Sequence, residues 1–114
     1  MTIGNRVIYL LKQKKLKQKD LAEYLGTKPS TVNGWNQKNR NPSSDFIIPI
    51  CKFLNVPIAY LLTGDESYLT DTEINQKFLT AFSQLNTDNQ DIIIGEIKKL
   101  LKEQRQEMAQ QQTD

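Results

Sequence analysis

"KQKDLAEYLGTKPSTVNGWNQK", residues 17–38, reads as two short helices with a break between them. Leu21, Ala22 and Leu25 fall on one face of the first, which runs from Gln18 to Leu25. Gly26 ends it, since glycine adopts positive φ without strain. Pro29 suits the first position of a new helix, where no backbone N–H is needed. That second helix, Pro29 to about Gln37, has only Val32 and Trp35, three apart, to bury. Pro29, Ser30, Asn33 and Gly34 face outward, with Thr31 at the side. Gly34 costs a helix about 0.5–1 kcal/mol against alanine. Close approach to an outside surface would explain it, and so would tight internal packing. Two short helices joined by a glycine-containing turn make a helix-turn-helix unit. In that unit the second helix enters the DNA major groove and presents its first residues to base edges. Serine and asparagine carry both donors and acceptors for such a task.

Outward from this stretch the pattern stays helical, with no useful period-2 strand. Helix 1 is expected from Ile3 to Lys15, capped by Thr2, with Ile3, Val7, Leu10 and Leu11 in a stripe. "NRNPSSD" (39–45) is a loop ending in a cap at Ser43 or Ser44. Helix 4, Asp45 to Leu54, buries Ile47, Ile50, Cys51 and Leu54, and Pro49 should bend its first turns. Helix 5 runs from Pro57 to Leu62 and is closed by Gly64. Residues 66–70 read as a hinge. Beyond it Asp71 or Thr72 caps helix 6, with Ile74, Phe78, Ala81, Phe82 and Leu85 on one face. After a turn at 86–91, helix 7 extends from Asp88 to near Met108. The divisions are therefore 1–65, a front domain; 66–70, a hinge; 71–108, a helical hairpin; and 109–114, a frayed glutamine-rich tail.

The charge is lopsided. Residues 1–64 carry ten Lys/Arg against three Asp/Glu, and residues 65–114 carry five against ten. A basic front and an acidic rear suit a front half that meets a polyanion. Cys51 is the only cysteine, so no internal disulfide forms, and its apolar neighbours make it a small core residue. The longest apolar run near the start, Val7 to Leu11, is too short for a signal peptide or a membrane span. A cytoplasmic protein with no membrane partner is expected. With no histidine, one cysteine and scattered glycines, the sequence offers no general base of the usual kind, no zinc spacing and no phosphate loop. An enzyme is not expected, nor any cofactor or metal.

Gln18, Leu21-Ala22, Leu25-Gly26, Val32, Trp35, Asn41-Pro42, "FIIPICKFLNV" (46–56) and "YLLTG" (60–64) together resemble the phage repressor and Cro type of helix-turn-helix protein. This is also known as the xenobiotic-response-element type. The resemblance covers about residues 3–64. It implies an all-α fold, a five-helix repressor-type DNA-binding domain followed here by a C-terminal helical hairpin. It implies that Gln18 contacts a phosphate and braces the recognition helix. Base contacts are implied for Pro29, Ser30, Asn33 and Gly34, with Thr31 contributing from the side. Backbone contacts are implied for Lys28, Lys38, Asn39 and Arg40. Lys12, Lys14, Lys15, Lys17 and Lys19 could form a merely solvated face; their place beside the recognition helix assigns Lys17 and Lys19 to phosphates. Lys28 stands where the family usually has a small polar cap, and Pro29 where a base-reading side chain is common. Readout then leans on Ser30, Asn33, an apolar contact from Pro29 to a thymine methyl, and DNA shape.

The hairpin carries more apolar surface than two helices can hide on each other. Pairing with a second copy through Ile93, Ile94, Ile97, Leu100 and Leu101 is expected, with Gly95 permitting close approach; docking on the front domain is the alternative. A homodimer would place two recognition helices one DNA turn apart. Other members of the family carry a self-cleaving Ser–Lys domain, which a chain of this length is expected to lack. The expected function is a sequence-specific regulator, a dimeric prophage or mobile-element repressor occupying its operator on double-stranded DNA. Two alternatives remain, an autoregulating antitoxin and a protein-docking adaptor without specific DNA binding. An antirepressor or a toxin would be a further partner.

Overall fold

The structure is a computed structural model. It describes residues 1–38 and 40–112, with the backbone alone at 98, 100–102 and 104–112. Among the described residues it is helical throughout, in the order α1 Ile3–Gln13, α2 Gln18–Leu25, α3 Pro29–Gln37, α4 Ser44–Leu54 and α5 Ile58–Thr63. A 3₁₀ turn at Glu66–Leu69 leads to α6 Thr72–Gln84 and α7 Thr87–Gln112.

Local chemistry accounts for most of these limits. Thr2 and Asn5 form a reciprocal capping box at the start of α1. That helix stops at Gln13, two residues earlier than its sequence suggests, and Lys15 takes positive φ (58°). Gly26 and Gly64 close α2 and α5 in the left-handed conformation, at φ 71° and 76°. Pro57 stands just outside α5 as its N-cap, and Asp71 caps α6 through a bond from the Ile74 N–H. Pro49 lies inside α4, and the helix runs on through it.

One apolar cluster joins all of these helices. Val7, Leu11, Leu21, Val32, Ile47, Ile50, Leu54, Leu61 and Leu62 are fully buried at its centre. Trp35 on α3 meets Phe46 on α4 at 6.3 Å between ring centroids, and Tyr24 on α2 meets Phe53 on α4 at 5.3 Å. The cluster also takes in Phe82 from α6 and Ile94 from α7, with Phe78, Leu79 and Ile97 packed against it. α6 therefore packs on α5, and α7 on α4 and α5, of the same chain, more than the two helices pack on each other as the expected hairpin would. This shapes α6 differently from the expected stripe: Leu79 packs inward, whereas Ile74 and Ala81 are exposed. The 3₁₀ turn in the expected hinge packs on α5 and α6.

Arg6 belongs to the basic front half but is not available to a polyanion. It is 5% exposed and its Nη1 donates to the Leu61 carbonyl at 2.5 Å, at the end of α5. Gly64 makes room for it, because a Cβ there would run into the guanidinium.

Burial pushes the Cys51 thiol up from 9.0 to about 12. The neutral thiol is thus favoured in the folded protein, and its contribution is complete below pH 9. As pH rises from 9 towards 12 the unfolded chain ionises first, and stability falls. The difference in melting temperature between wild type and Cys51→Ala should shift against the wild type across that window. A difference constant from pH 7 to 11 would contradict it.

Candidate nucleic-acid interface

α2 and α3 pack directly on each other, and the turn between them is built on backbone bonds. The Gly26 N–H donates to the Glu23 carbonyl at 3.1 Å and the Thr27 N–H to the Ala22 carbonyl at 2.9 Å. These satisfy the last carbonyls of α2 and turn the chain towards Lys28. Lys28 is the N-cap of α3 in extended geometry, but its side chain makes no capping bond. An ammonium has no acceptor to offer, so α3 begins on Pro29 without that support.

Val32, fully buried, and Trp35, 4% exposed, hold α3 to the body. Pro29, Ser30 and Thr31 are exposed, and Asn33 and Gly34 are half-buried. A Cβ at Gly34 would meet nothing within 4 Å, so tight packing inside the chain does not account for this glycine. Ser30, Thr31 and Gly34 share a concavity of about 410 Å³ with Lys38, Arg40, Asn41 and Ser43, floored by Trp35 and Phe46. Three candidate base-reading residues, Ser30, Thr31 and Gly34, thus share one surface with two backbone-contacting ones, Lys38 and Arg40, whereas Pro29, Asn33, Gln18, Lys17, Lys19 and Lys28 do not line it. Lys17, Lys19 and Lys28 are exposed, and Gln18 at the start of α2 is half-buried.

The profile of the bacteriophage CI repressor helix-turn-helix domain matches residues 6–68, more than half of the chain. The chain belongs to the bacteriophage CI repressor helix-turn-helix family. It is similar to a curated relative described as "Repressor protein CI" of Enterobacteria phage phi80, at 36% identity over 74 residues. That match covers 65% of this chain and 31% of the relative, so the chain spans about a third of the relative's length. No solved structure shows a match.

Within this CI-type framework, Asn41 and Ser43 line the same concavity as Ser30 and Thr31, although the sequence marks Asn41 only as part of the family resemblance and Ser43 only as a candidate helix cap. Asn39 lies outside the described residues. On α7, Ile94 is 5% exposed and belongs to the core, and Ile97 packs against it. Ile93 stays on the surface, next to Ile92 at 60% exposure, and Gly95 has open space above it. Leu100 and Leu101 have side chains outside the described residues. Among the described residues no helix is long and apolar enough to cross a membrane, and no side-chain cluster could hold a metal ion.

Proposed function

We propose that the protein is a sequence-specific DNA-binding repressor that lays α3 in the major groove and acts by occupying its operator as a homodimer. The observation that carries this reading is the outer strip of α3. It is small and uncovered at Pro29, Ser30 and Thr31, carries two hydroxyls, and is bordered by exposed Lys28, Lys38 and Arg40. The family match supports it. Short side chains let a helix backbone approach base edges closely, and the surrounding cations meet phosphates. Pairing would use the exposed part of α7 around Ile92 and Ile93, since Ile94 is occupied within the chain.

Selection of bound fragments from a random duplex pool tests the reading. A recovered two-fold sequence motif supports it; recovery of no motif sinks it. The division of labour between side chains has its own test. Lys28→Ala should weaken binding to every sequence alike and make the slope of log affinity against log salt shallower by about 0.9. Asn33→Ala should cost about 1–3 kcal/mol, confined to one base pair of the motif. Equal losses on motif and random DNA for both variants would refute that division.

Gly34 supplies a third measurement. Because its position is open, Gly34→Ala should raise unfolding free energy by about 0.5–1 kcal/mol through helix propensity. The same methyl would stand between α3 and the groove, so affinity for the motif should fall. Stabilisation with unchanged affinity would place Gly34 away from the DNA.

A further inference from the structure

We infer that Asn5, on α1, is a positioning residue for sequence discrimination, acting through a side-chain bridge to Asn36 at the far end of the recognition helix. The inference rests on the DNA-reading role proposed above for α3. Asn5 is held at both ends. Its Oδ1 accepts from the Thr2 backbone N–H at 3.3 Å and the Thr2 hydroxyl at 2.9 Å, while its own backbone N–H donates to Thr2 Oγ1 at 3.0 Å. Its Nδ2 then donates to Asn36 Oδ1 at 3.1 Å, across 31 residues of sequence. The helix cap of α1 and the last turn of α3 are thereby one hydrogen-bonded unit.

The backbones beneath this bridge are in close contact. A Cβ on Gly4 would lie 2.8 Å from both Trp35 Cβ and the Trp35 carbonyl oxygen, and closer still to the Arg40 carbonyl oxygen. The first turn of α1 therefore touches both the end of α3 and the start of the loop assigned to phosphates. The other anchors of α3, Val32 and Trp35, are held chiefly by apolar burial. Such burial is non-directional and resists withdrawal of the helix more than its rotation. A hydrogen bond with a fixed partner resists rotation.

The lever arm shows why that matters. α3 has nine residues, so it is about 13 Å long. Pivoting on buried Val32, it has Asn36 about 6 Å to one side and Pro29 about 4.5 Å to the other, so a slip of about 1 Å at an unbridged Asn36 moves the Pro29 end by about 0.8 Å. Productive contacts require placement within about 0.5 Å. Asn5 acts through Asn36, without contact to a base or a phosphate, and fixes where Ser30 and Asn33 arrive.

The test compares wild type, Asn5→Ala, Asn5→Asp, Asn36→Ala and the double alanine variant. Asn5→Asp keeps the oxygen that accepts from Thr2 and exchanges the amide donor to Asn36 for a charged acceptor, whose uniform repulsion of DNA cancels in the motif-to-random ratio. For each, affinity is measured for the selected motif and for random duplex, and hydrogen exchange is followed at the backbone amides of α3 and α5. Each single variant should lower the motif-to-random ratio about three- to tenfold. The double variant should lose no more than Asn36→Ala alone. Exchange should quicken in α3 and stay unchanged in α5. Losses that add in the double variant, or a ratio unchanged in Asn5→Asp and Asn36→Ala, overturn the inference. Should the wild-type protein prefer no sequence, the DNA-reading role fails by itself. Exchange then decides the positioning role alone, and unaltered α3 protection in both Asn5→Asp and Asn36→Ala overturns it.

Discussion

Arg6→Met lowers the unfolding free energy by about 2–3 kcal/mol, read as a fall in urea midpoint with unchanged m-value. The cause is specific. Arg6 is 5% exposed, and its guanidinium serves the Leu61 carbonyl at the closing turn of α5. A methionine fills much of the same volume but cannot donate, so the carbonyl is left buried without that donor. Arg6→Lys should recover only part of the loss, because a compact ammonium on a different stem does not reproduce the fork of donors. The melting temperature of the methionine variant should drop by roughly 10 °C. Full stability in Arg6→Met would mean that the arginine is carried for some reason other than the junction of α1 and α5.

Gly4→Ala comes next in size, with an expected loss of about 2 kcal/mol. Alanine in a helix interior gains about 1 kcal/mol over glycine. At Gly4 that gain is outweighed, because the added methyl meets backbone atoms of Trp35 and Arg40, which cannot rotate aside as a side chain can. Overpacking typically costs about 1–3 kcal/mol, and the upper end applies where backbone must move. Gly4→Ala and Gly34→Ala are the same chemical change on two helices of one core, and they should move the melting temperature in opposite directions. A Gly4→Ala protein as stable as wild type would show that α1 can back away from α3 freely.

What could be read in the sequence was what neighbours in sequence decide. Thr2, Gly26 and Gly64 set helix limits through bonds spanning a few residues, Pro29 does so through its fixed φ, and the structure places α2 and α3 within the expected limits. Val32 and Trp35 were legible as the buried pair because a helix so poor in apolar residues has few ways to be anchored. Contacts between distant segments were not legible. Gly4 looks like an ordinary weak point in a helix until Trp35 and Arg40 are brought against it. Arg6 reads as one more surface cation until α5 closes over it. Ile93 and Ile94 are adjacent and chemically identical, and only the docking of α7 on α4 and α5 sends one inward and leaves the other outside. In the candidate site, the outward strip of α3 followed from helical geometry. The part played by Asn41 and Ser43 depended on how the loop folds back beside it.

α6 and α7 lean on α4 and α5, while α3 leans on α1 and α2. On the function proposed above, recognition and association would stand on separate footings of a shared core. Inheritance could then alter the rear helices, and so the company the molecule keeps, without retuning the address it reads. Grafting another α6–α7 onto this front should give a chimera that changes allegiance and keeps its target.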